Sequence, residues 1–262
     1  CFSLIGEGER VTFSGPAGIG HVISRVTGGA PSSLNGTLRS EIAGADFWFV
    51  NPAGIVFGPQ VALEVPVAFF ASTANQLFHA DGAVLDTSPT VPLAFSVAPP
   101  EAFGFLGAPS GAIVANGSRL TLANGQSLAF GAPSVTLVDA TTLAREGATR
   151  LVALGPDGVV TPATGNWSGE RSGTIELRQG TLLEASGDGA GTIQLTAGDL
   201  AIGAANVWAD NEGASAPRSG IRIEAGRLTL DDAALVSTDV FADGAGAAVQ
   251  VDAGDVMVLR GA

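Results

Sequence analysis

The chain contains no lysine, so all 12 of its basic side chains are arginines, set against 25 acidic ones. The net charge of −13 argues against a nucleic-acid-binding protein, because such proteins present a positive surface to phosphates. The sequence also lacks an apolar run of roughly 20 residues, the length that a membrane-spanning helix needs. We therefore expect neither a nucleic-acid partner nor a transmembrane segment.

Cysteine is almost absent as well. Cys1 is the single cysteine, so the chain cannot form an internal disulfide. No signal peptide is visible at the start. Cys1 could be the lipidated residue of a mature lipoprotein, but we favour a fragment whose upstream part was removed. Ala262 falls within a repeating pattern, so we expect the full-length protein to continue downstream.

Helical periodicity is missing too, and 37 glycines separate short segments of alternating apolar residues. In the second half these segments repeat. "GTIEL" begins at Gly173, "GTIQL" at Gly191, "GIRIE" at Gly220 and "AAVQV" at Ala247, which places the starts 18, 29 and 27 residues apart. Each is followed by one or two further short apolar segments. Strand-only repeats of this length indicate a β-solenoid.

The alternation within each repeat predicts which side chains face the interior. We expect one stack of buried residues, rung above rung, made by Ile175 and Leu177, Ile193 and Leu195, Ile221 and Ile223, and Val249 and Val251. Glycine and other small residues at the joints allow the chain to turn sharply. The predicted fold class is all-β, a right-handed parallel β-helix with extrahelical β-hairpin or loop insertions.

The chain divides into segments of different character within one predicted domain, 1–262. We expect a capped amino-terminal part at 1–75, an extrahelical excursion rich in Pro and Phe at 76–110, loose rungs at 111–155, an insertion at 156–172 and regular rungs at 173–262. No linker is polar enough to separate two domains.

Several motifs occur in an order that resembles a known family. They are "SRVTGGAPSSLNGTLRS" from Ser24, "GADFWFVNPAGIVFGP" from Gly44, "FFASTAN" from Phe69, and downstream "PPEAFGFLG" and the "GAGTIQLTAGDL"-type repeats. Together they resemble the amino-terminal secretion domain of filamentous-haemagglutinin-type exoproteins, the secreted partners of two-partner secretion systems. The resemblance covers most of the chain. A second family motif, Asn-Pro-Asn-Leu, is absent.

This resemblance implies a right-handed parallel β-helix with a capped amino-terminal end. It also implies recognition, in an unfolded or extended state, by the periplasmic domains of a cognate outer-membrane barrel transporter. The exoprotein would then be secreted or held at the surface of a Gram-negative bacterium. A host or neighbouring-cell ligand would bind through the missing downstream region.

The candidate site is the corner Asn51-Pro52-Ala53-Gly54-Ile55, where the family motif has Asn in place of Ala53. Pro52 and Gly54 suit a tight turn, and the side chain of Asn51 can bond to its own backbone two residues on. The corner is either a buried turn that sets the register of two rungs or a signal contacted directly by the transporter. Ala53 favours the structural interpretation, because a recognised side chain should be harder to lose.

No catalytic residues, metal ligands or cofactors are predicted. The acidic residues lie mainly in solvated corners, namely Asp188, Asp199, Asp231, Asp232, Asp243 and Asp255. His21 and His79 are isolated, so neither suggests a metal site. Trp48 should be a core residue, whereas Trp167 lies in an insertion and is the best exposed candidate for stacking on a sugar.

The first hypothesis is therefore a non-enzymatic secretion-targeting domain of a large adhesin or haemagglutinin-like exoprotein. The alternatives are a β-helical carbohydrate-active enzyme and a self-associating filament segment. Three or more acidic residues stacked on one exposed sheet beside an Arg would favour the enzyme. Association that depends on concentration would favour the filament.

Overall fold

The structure, a computed structural model, describes residues 4–87, 96–107 and 111–259. Within these ranges every regular element is a β-strand. In chain order the strands are β1 (Leu4–Ile5), β2 (Arg10–Phe13), β3 (His21–Arg25), β4 (Ser32–Leu34), β5 (Thr37–Ser40), β6 (Asp46–Val50), β7 (Ile55–Phe57), β8 (Ala62–Glu64), β9 (Ala68–Ser72), β10 (Gln76–His79), β11 (Val84–Asp86), β12 (Pro100–Phe105), β13 (Ile113–Asn116), β14 (Arg119–Thr121), β15 (Ser127–Ala132), β16 (Ser134–Val138), β17 (Thr141–Leu143), β18 (Ala148–Ala153), β19 (Gly158–Thr161), β20 (Asn166–Ser168), β21 (Thr174–Arg178), β22 (Leu182–Glu184), β23 (Thr192–Gly203), β24 (Asn206–Trp208), β25 (Gly220–Asp231), β26 (Leu235–Ser237) and β27 (Ala248–Val258).

The strands wind around three faces, and every pairing within a face is parallel. The first face runs β3-β6-β9-β15-β18-β23-β25-β27. The second runs β1-β4-β7-β13-β16-β21-β23-β25-β27. The third consists of β2-β5-β8 and β14-β17-β22-β24-β26. The chain visits the second, third and first faces in turn, which confirms the predicted parallel β-helix.

The long strands β23, β25 and β27 each span both the first and the second face, and this corrects the predicted interior stack. Ile193 pairs with Ile221 on the first face, whereas Ile175 pairs with Leu200 on the second. Ile175 and Leu177 are buried as expected, but on a different face from Ile193. The 18-residue spacing of the first two repeats is therefore a step between faces rather than one rung.

The last described rung departs from the prediction in burial. Val249 and Val251 lie in register with Ile221 and Ile223, as the stack requires. Their relative exposures are 43% and 50%, whereas those of Ile221 and Ile223 are 1%. Val249 and Val251 are exposed despite their matching register because no described strand pairs with the outer edge of β27.

The interior is a continuous apolar column whose early rungs are aromatic. Phe57 and Phe130 stack with ring centroids 5.1 Å apart, and Phe47 and Phe69 stack at 5.9 Å. Later rungs carry Ile, Leu and Val at the same positions. Phe47 and Phe69 are register partners on adjacent parallel strands, whereas Phe57 on the second face contacts Phe130 on the first.

Two segments leave the helix at the corner between its first and second faces, after β9 and after β18. β10, β11 and β12 come from the first, and β19 and β20 from the second. Together they form one antiparallel sheet in the order β11-β10-β12-β19-β20, joined where Phe103 pairs with Val160. The sequence predicted two separate insertions and gave no sign that they pair.

This extrahelical sheet covers the outer side of the first face and creates a second apolar core. Trp48, which is 2% exposed, packs against Phe103 and Phe70 with ring centroids 5.0 and 4.9 Å away. Val160 joins the same cluster. Trp48 is a core residue, as expected, but of this outer core rather than of the helix interior.

Candidate functional site

The Asn51 corner lies between β6 and β7, at the edge where the extrahelical segments depart. Its backbone contacts the point where the first excursion leaves the helix, because the amide of Asn51 donates to the carbonyl of Ser72 at 3.0 Å. It also contacts the point of return, since the amide of Gly111 donates to the carbonyl of Pro52 at 2.7 Å. The Asn51 corner therefore contacts both ends of the first extrahelical excursion.

All the polar atoms of the Asn51 side chain are used inside the fold. The amide nitrogen donates to the carbonyl of Ala30 at 3.0 Å and to the hydroxyl of Ser32 at 2.8 Å, both on the preceding rung. The amide oxygen accepts from the backbone N–H of Ala53 at 3.0 Å, which closes the predicted local turn. One side chain therefore shapes its own corner and ties it to the corner before it.

Gly54 and Ile55 complete the turn. The amide of Gly54 donates to the carbonyl of Asn51 at 3.0 Å, and Gly54 has φ of +126°, a conformation that suits only glycine. Ile55 is fully buried in the interior column and its amide donates to Ala112. The four predicted site residues, Asn51, Pro52, Gly54 and Ile55, lie together in one corner.

Burial decides what this corner presents in the folded domain. Asn51 is 1% exposed and Ile55 is 0% exposed. Pro52 and Ala53 are only half-buried, so they form the accessible tip. A partner that meets the folded domain can reach the tip of the turn but not the Asn51 side chain.

Three partners of the corner escaped sequence reasoning: Ser32, Ser72 and Gly111. Ser32 and Ser72 are fully buried, and the Ser72 hydroxyl donates to the carbonyl of Gly131 at 2.8 Å. A Cβ on Gly111 would lie 2.3 Å from the carbonyl oxygen of Ala53. The sequence does offer one signal, serines placed about one rung before and one rung after Asn51. Only the strand pairing shows that Ser32 and Ser72 contact the Asn51 corner.

Trp167 does not lie open on the surface as the sequence suggested. It is half-buried against the outer core, and its indole N–H donates to Glu224 Oε2 at 2.9 Å. The guanidinium of Arg171 lies over its ring, 5.4 Å from the centroid. The ring bridges the extrahelical sheet to the outer surface of β25.

Carboxylates on this outer surface are fewer than the enzyme hypothesis required. The row that passes through Thr196 continues to Glu224 and Asp252, so it holds two carboxylates beside Arg222. Burial raises the pKa of Glu224, but hydrogen bonds from Trp167 and Arg222 outweigh it and lower that pKa from its ordinary value. Glu224 is thus held as an ionised partner of its neighbours.

Three of the remaining titratable candidates have local partners. His21 Nδ1 lies 2.6 Å from Asp46 Oδ1, and the buried His79 bonds to the carbonyl of Ala98 at 2.9 Å. Asp188 accepts from the backbone and the hydroxyl of Ser215, and these bonds lower the pKa of its carboxyl. Over residues 4–87, 96–107 and 111–259, no three His, Cys, Asp or Glu side chains form a group that could hold a metal ion.

Comparison with known families agrees with this architecture. The model of the TPS secretion domain family matches residues 2–212 of the chain. No curated protein matches the chain. In the described part of the chain, no helix is long and apolar enough to cross a membrane.

The matched region contains the Asn51 corner, both extrahelical segments and most of the rungs. The family is one of secretion targeting, acting with a cognate outer-membrane transporter, and is not a catalytic one. Its members are targeting domains of exoproteins secreted by Gram-negative bacteria. The chain belongs to the two-partner secretion (TPS) domain family.

Proposed function

We propose that this domain targets a large adhesin or haemagglutinin-like exoprotein to the periplasmic domains of its outer-membrane transporter, and then starts β-helix folding outside the cell. The Asn51 corner supports the second part of this proposal, the start of β-helix folding outside the cell. Its side chain is buried and fully bonded in the folded domain, so the transporter can contact the Asn51 side chain only before the domain folds. The folded corner serves to fix the register of the early rungs.

The topology supports folding during export. Each rung pairs only with its neighbours, so folding can proceed as successive rungs emerge and need not wait for the carboxyl end. A single cysteine means that no internal disulfide obstructs an extended chain. The first excursion closes on the Asn51 corner through Gly111, so the corner links the earliest rungs to the first extrahelical segment.

A secretion assay tests the proposal. The domain is expressed with its cognate transporter as wild type, as Asn51→Ala and as the control Asn124→Ala, which alters an exposed Asn in the turn between β14 and β15. Protein in the medium and the melting temperature of each purified domain are measured. We expect Asn51→Ala to lower both quantities and Asn124→Ala to change neither.

Other outcomes separate the alternatives. A fall in export with an unchanged melting temperature would show that the transporter reads Asn51 directly. Wild-type protein that never reaches the medium would overturn the targeting function. Association that rises with concentration would favour the filament hypothesis, for which the exposed apolar side chains of β27 are the relevant surface.

A further inference from the structure

The second extrahelical segment, residues 156–172, crosses the first face and contacts both early and late rungs. On its early side, β19 continues the extrahelical sheet by pairing with β12, where Val160 lies opposite Phe103. On its late side, the segment contacts strands that follow it in the chain. Because it crosses several rungs in this way, we call residues 156–172 the strap.

Side chains of β23 and β25 hold the late side of the strap. The carbonyl of Gly165 accepts from Gln194 Nε2 at 2.9 Å, 29 residues later in the chain. The indole N–H of Trp167 donates to Glu224 Oε2 at 2.9 Å, 57 residues later. The acceptor in this second bond is a carboxylate, which makes the bond stronger than one between neutral groups. Neither bond can form before β23 and β25 are in place.

A buried charge opposes this closed arrangement. Arg150 lies on β18, and Gly165 covers it, since a Cβ on Gly165 would lie 3.0 Å from Arg150 Cδ. The Nε and Nη1 atoms of Arg150 are buried and have no hydrogen-bond partner among the described residues. An arginine stays charged near neutral pH, so burying these atoms costs free energy that no bond offsets. Opening the strap would return them to water.

We propose that the strap closes in a separate, late step of folding, after β23 and β25 have formed, with Trp167 holding it closed and the buried Arg150 opposing closure. Closure joins the sheet built on the early rungs to the regular repeats. When the exoprotein folds during export, closure follows the emergence of residues 220–231. That timing rests on the proposed function, whereas closure itself is a property of the purified chain.

Tryptic cleavage of the native chain tests the proposal, because it reports the population of the open strap. The chain has no lysine, and Arg171 is the single arginine within residues 156–172. In the closed strap the backbone of Arg171 lies against β23, since a Cβ on Gly198 would clash with the Arg171 carbonyl oxygen. Cleavage after Arg171 therefore requires the strap to open, and its rate follows the open fraction when closing is fast.

Two variants should change the open fraction in opposite directions. Trp167→Phe keeps an aromatic ring but loses the bond to the charged Glu224, so cleavage after Arg171 should become faster by about tenfold or more. Arg150→Met removes the buried charge and keeps most of the side-chain volume. The same cleavage should therefore become slower by at least about threefold.

The matched controls lie on the third face. Trp208→Phe alters a half-buried tryptophan, and Arg119→Met alters an exposed arginine. Each should leave the rate of cleavage after Arg171 within about twofold of the wild type. Cleavage after Arg39, which lies on β5 far along the chain from the strap, reports opening of the rungs and should be slower than cleavage after Arg171 and equal in every variant.

Several results would overturn the proposal. An unchanged rate in Trp167→Phe would show that its bond does not hold the strap. An unchanged or faster rate in Arg150→Met would show that the buried charge does not oppose closure. If cleavage after Arg39 and after Arg171 rises together in Trp167→Phe, the strap opens only when the whole domain unfolds, and closure is not a separate step.

Refolding from urea tests the order of events. Short pulses of trypsin during refolding, with mass spectrometry of the products, show when each arginine becomes protected. Arg171 should become protected no earlier than Arg222 and Arg227 on β25. Earlier protection of Arg171 would show that the strap closes without β25 and would overturn the proposal. Because no transporter is present, the targeting function is judged separately, by the secretion assay.

Discussion

The side-chain amide nitrogen of Asn51 lies 2.8 Å from the hydroxyl oxygen of Ser32, 19 residues earlier in the chain. Both residues are buried, and the bond joins two successive corners of the helix. A bond of this kind holds one rung in register with the next, which an isolated turn cannot do.

The first prediction concerns this bond. Asn51→Ala leaves the Ser32 hydroxyl, the Ala30 carbonyl and the Ala53 amide without their partner, so it should lower the free energy of unfolding by about 1–3 kcal/mol. Asn51→Asp keeps the acceptor for Ala53 but places an oxygen against the Ala30 carbonyl. It should therefore be no more stable than Asn51→Ala at neutral pH.

Urea denaturation of both variants, with Asn124→Ala as the control, gives the measurement. The control alters an exposed side chain and should stay within about 0.5 kcal/mol of the wild type. A stable Asn51→Asp protein would mean that the two donated bonds contribute little.

The second prediction concerns Gly111, where the first extrahelical excursion returns to the helix beside the Asn51 corner. A methyl group there would lie 2.3 Å from the Ala53 carbonyl oxygen, a backbone atom that cannot move aside freely. Gly111→Ala should thus cost about 1–3 kcal/mol. Gly28→Ala is the matched control, since its Cβ would meet open space. Equal midpoints of urea unfolding for the two variants would contradict the close contact.

The outer core should contribute substantially to stability. Phe103 is fully buried between the extrahelical sheet and the helix, so Phe103→Ala should lower the free energy of unfolding by about 3–5 kcal/mol. Phe241 is 70% exposed, and Phe241→Ala should change the free energy of unfolding by less than about 0.5 kcal/mol. If both variants unfold at the wild-type denaturant concentration, the sheet is not an integral part of the domain.

Asp210 gives a dependence of stability on pH. Burial raises the pKa of its carboxyl, as do the nearby carboxylates of Asp239 and Glu212, and this outweighs the hydrogen bonds from Ser237 and the Asp239 amide. Since the folded pKa lies above the unfolded value of about 3.9, ionisation costs folding free energy. The cost is absent below the unfolded pKa, grows as the pH rises through the folded pKa, and is complete at neutral pH.

Asp210→Asn should therefore raise the melting temperature at neutral pH, and the gain should disappear in acid. Asp188→Asn is the control of opposite sign, because hydrogen bonds from Ser215 lower the pKa of Asp188. That variant should lower the melting temperature at neutral pH, with a smaller difference as the pH falls through the folded pKa. Differences that do not change with pH would contradict both assignments.

The regular rungs could be predicted from the sequence because their signal is local. Alternation of apolar residues with small residues at the corners suffices to identify short strands and a solenoid. Asn51, Pro52 and Gly54 likewise define a turn through their own backbone preferences and their spacing. The fold class, the corner and the burial of most stacked residues follow from such short-range rules.

Relationships between distant segments were decided only by the tertiary structure. Ile175 and Ile193 occur in nearly identical pentapeptides, yet they lie on different faces, because the chain between them passes through β22 on the third face before it reaches the first face in β23. The pairing of Phe103 with Val160 joins two insertions across more than fifty residues. No local pattern specifies that contact, because the sequence of β12 or β19 shows that the strand needs a partner but not which strand will pair with it.

The same division applies to the functional residues. The sequence by itself determined that Asn51 would close a turn, because that bond lies within the motif. The structure decided that its remaining donors are used by Ser32 and Ala30, and that Arg150 has no described acceptor beneath the Gly165 turn. Hydrogen-bond satisfaction and burial depend on which segments the fold brings together, and in a β-helix those segments are about one rung or more apart in the chain.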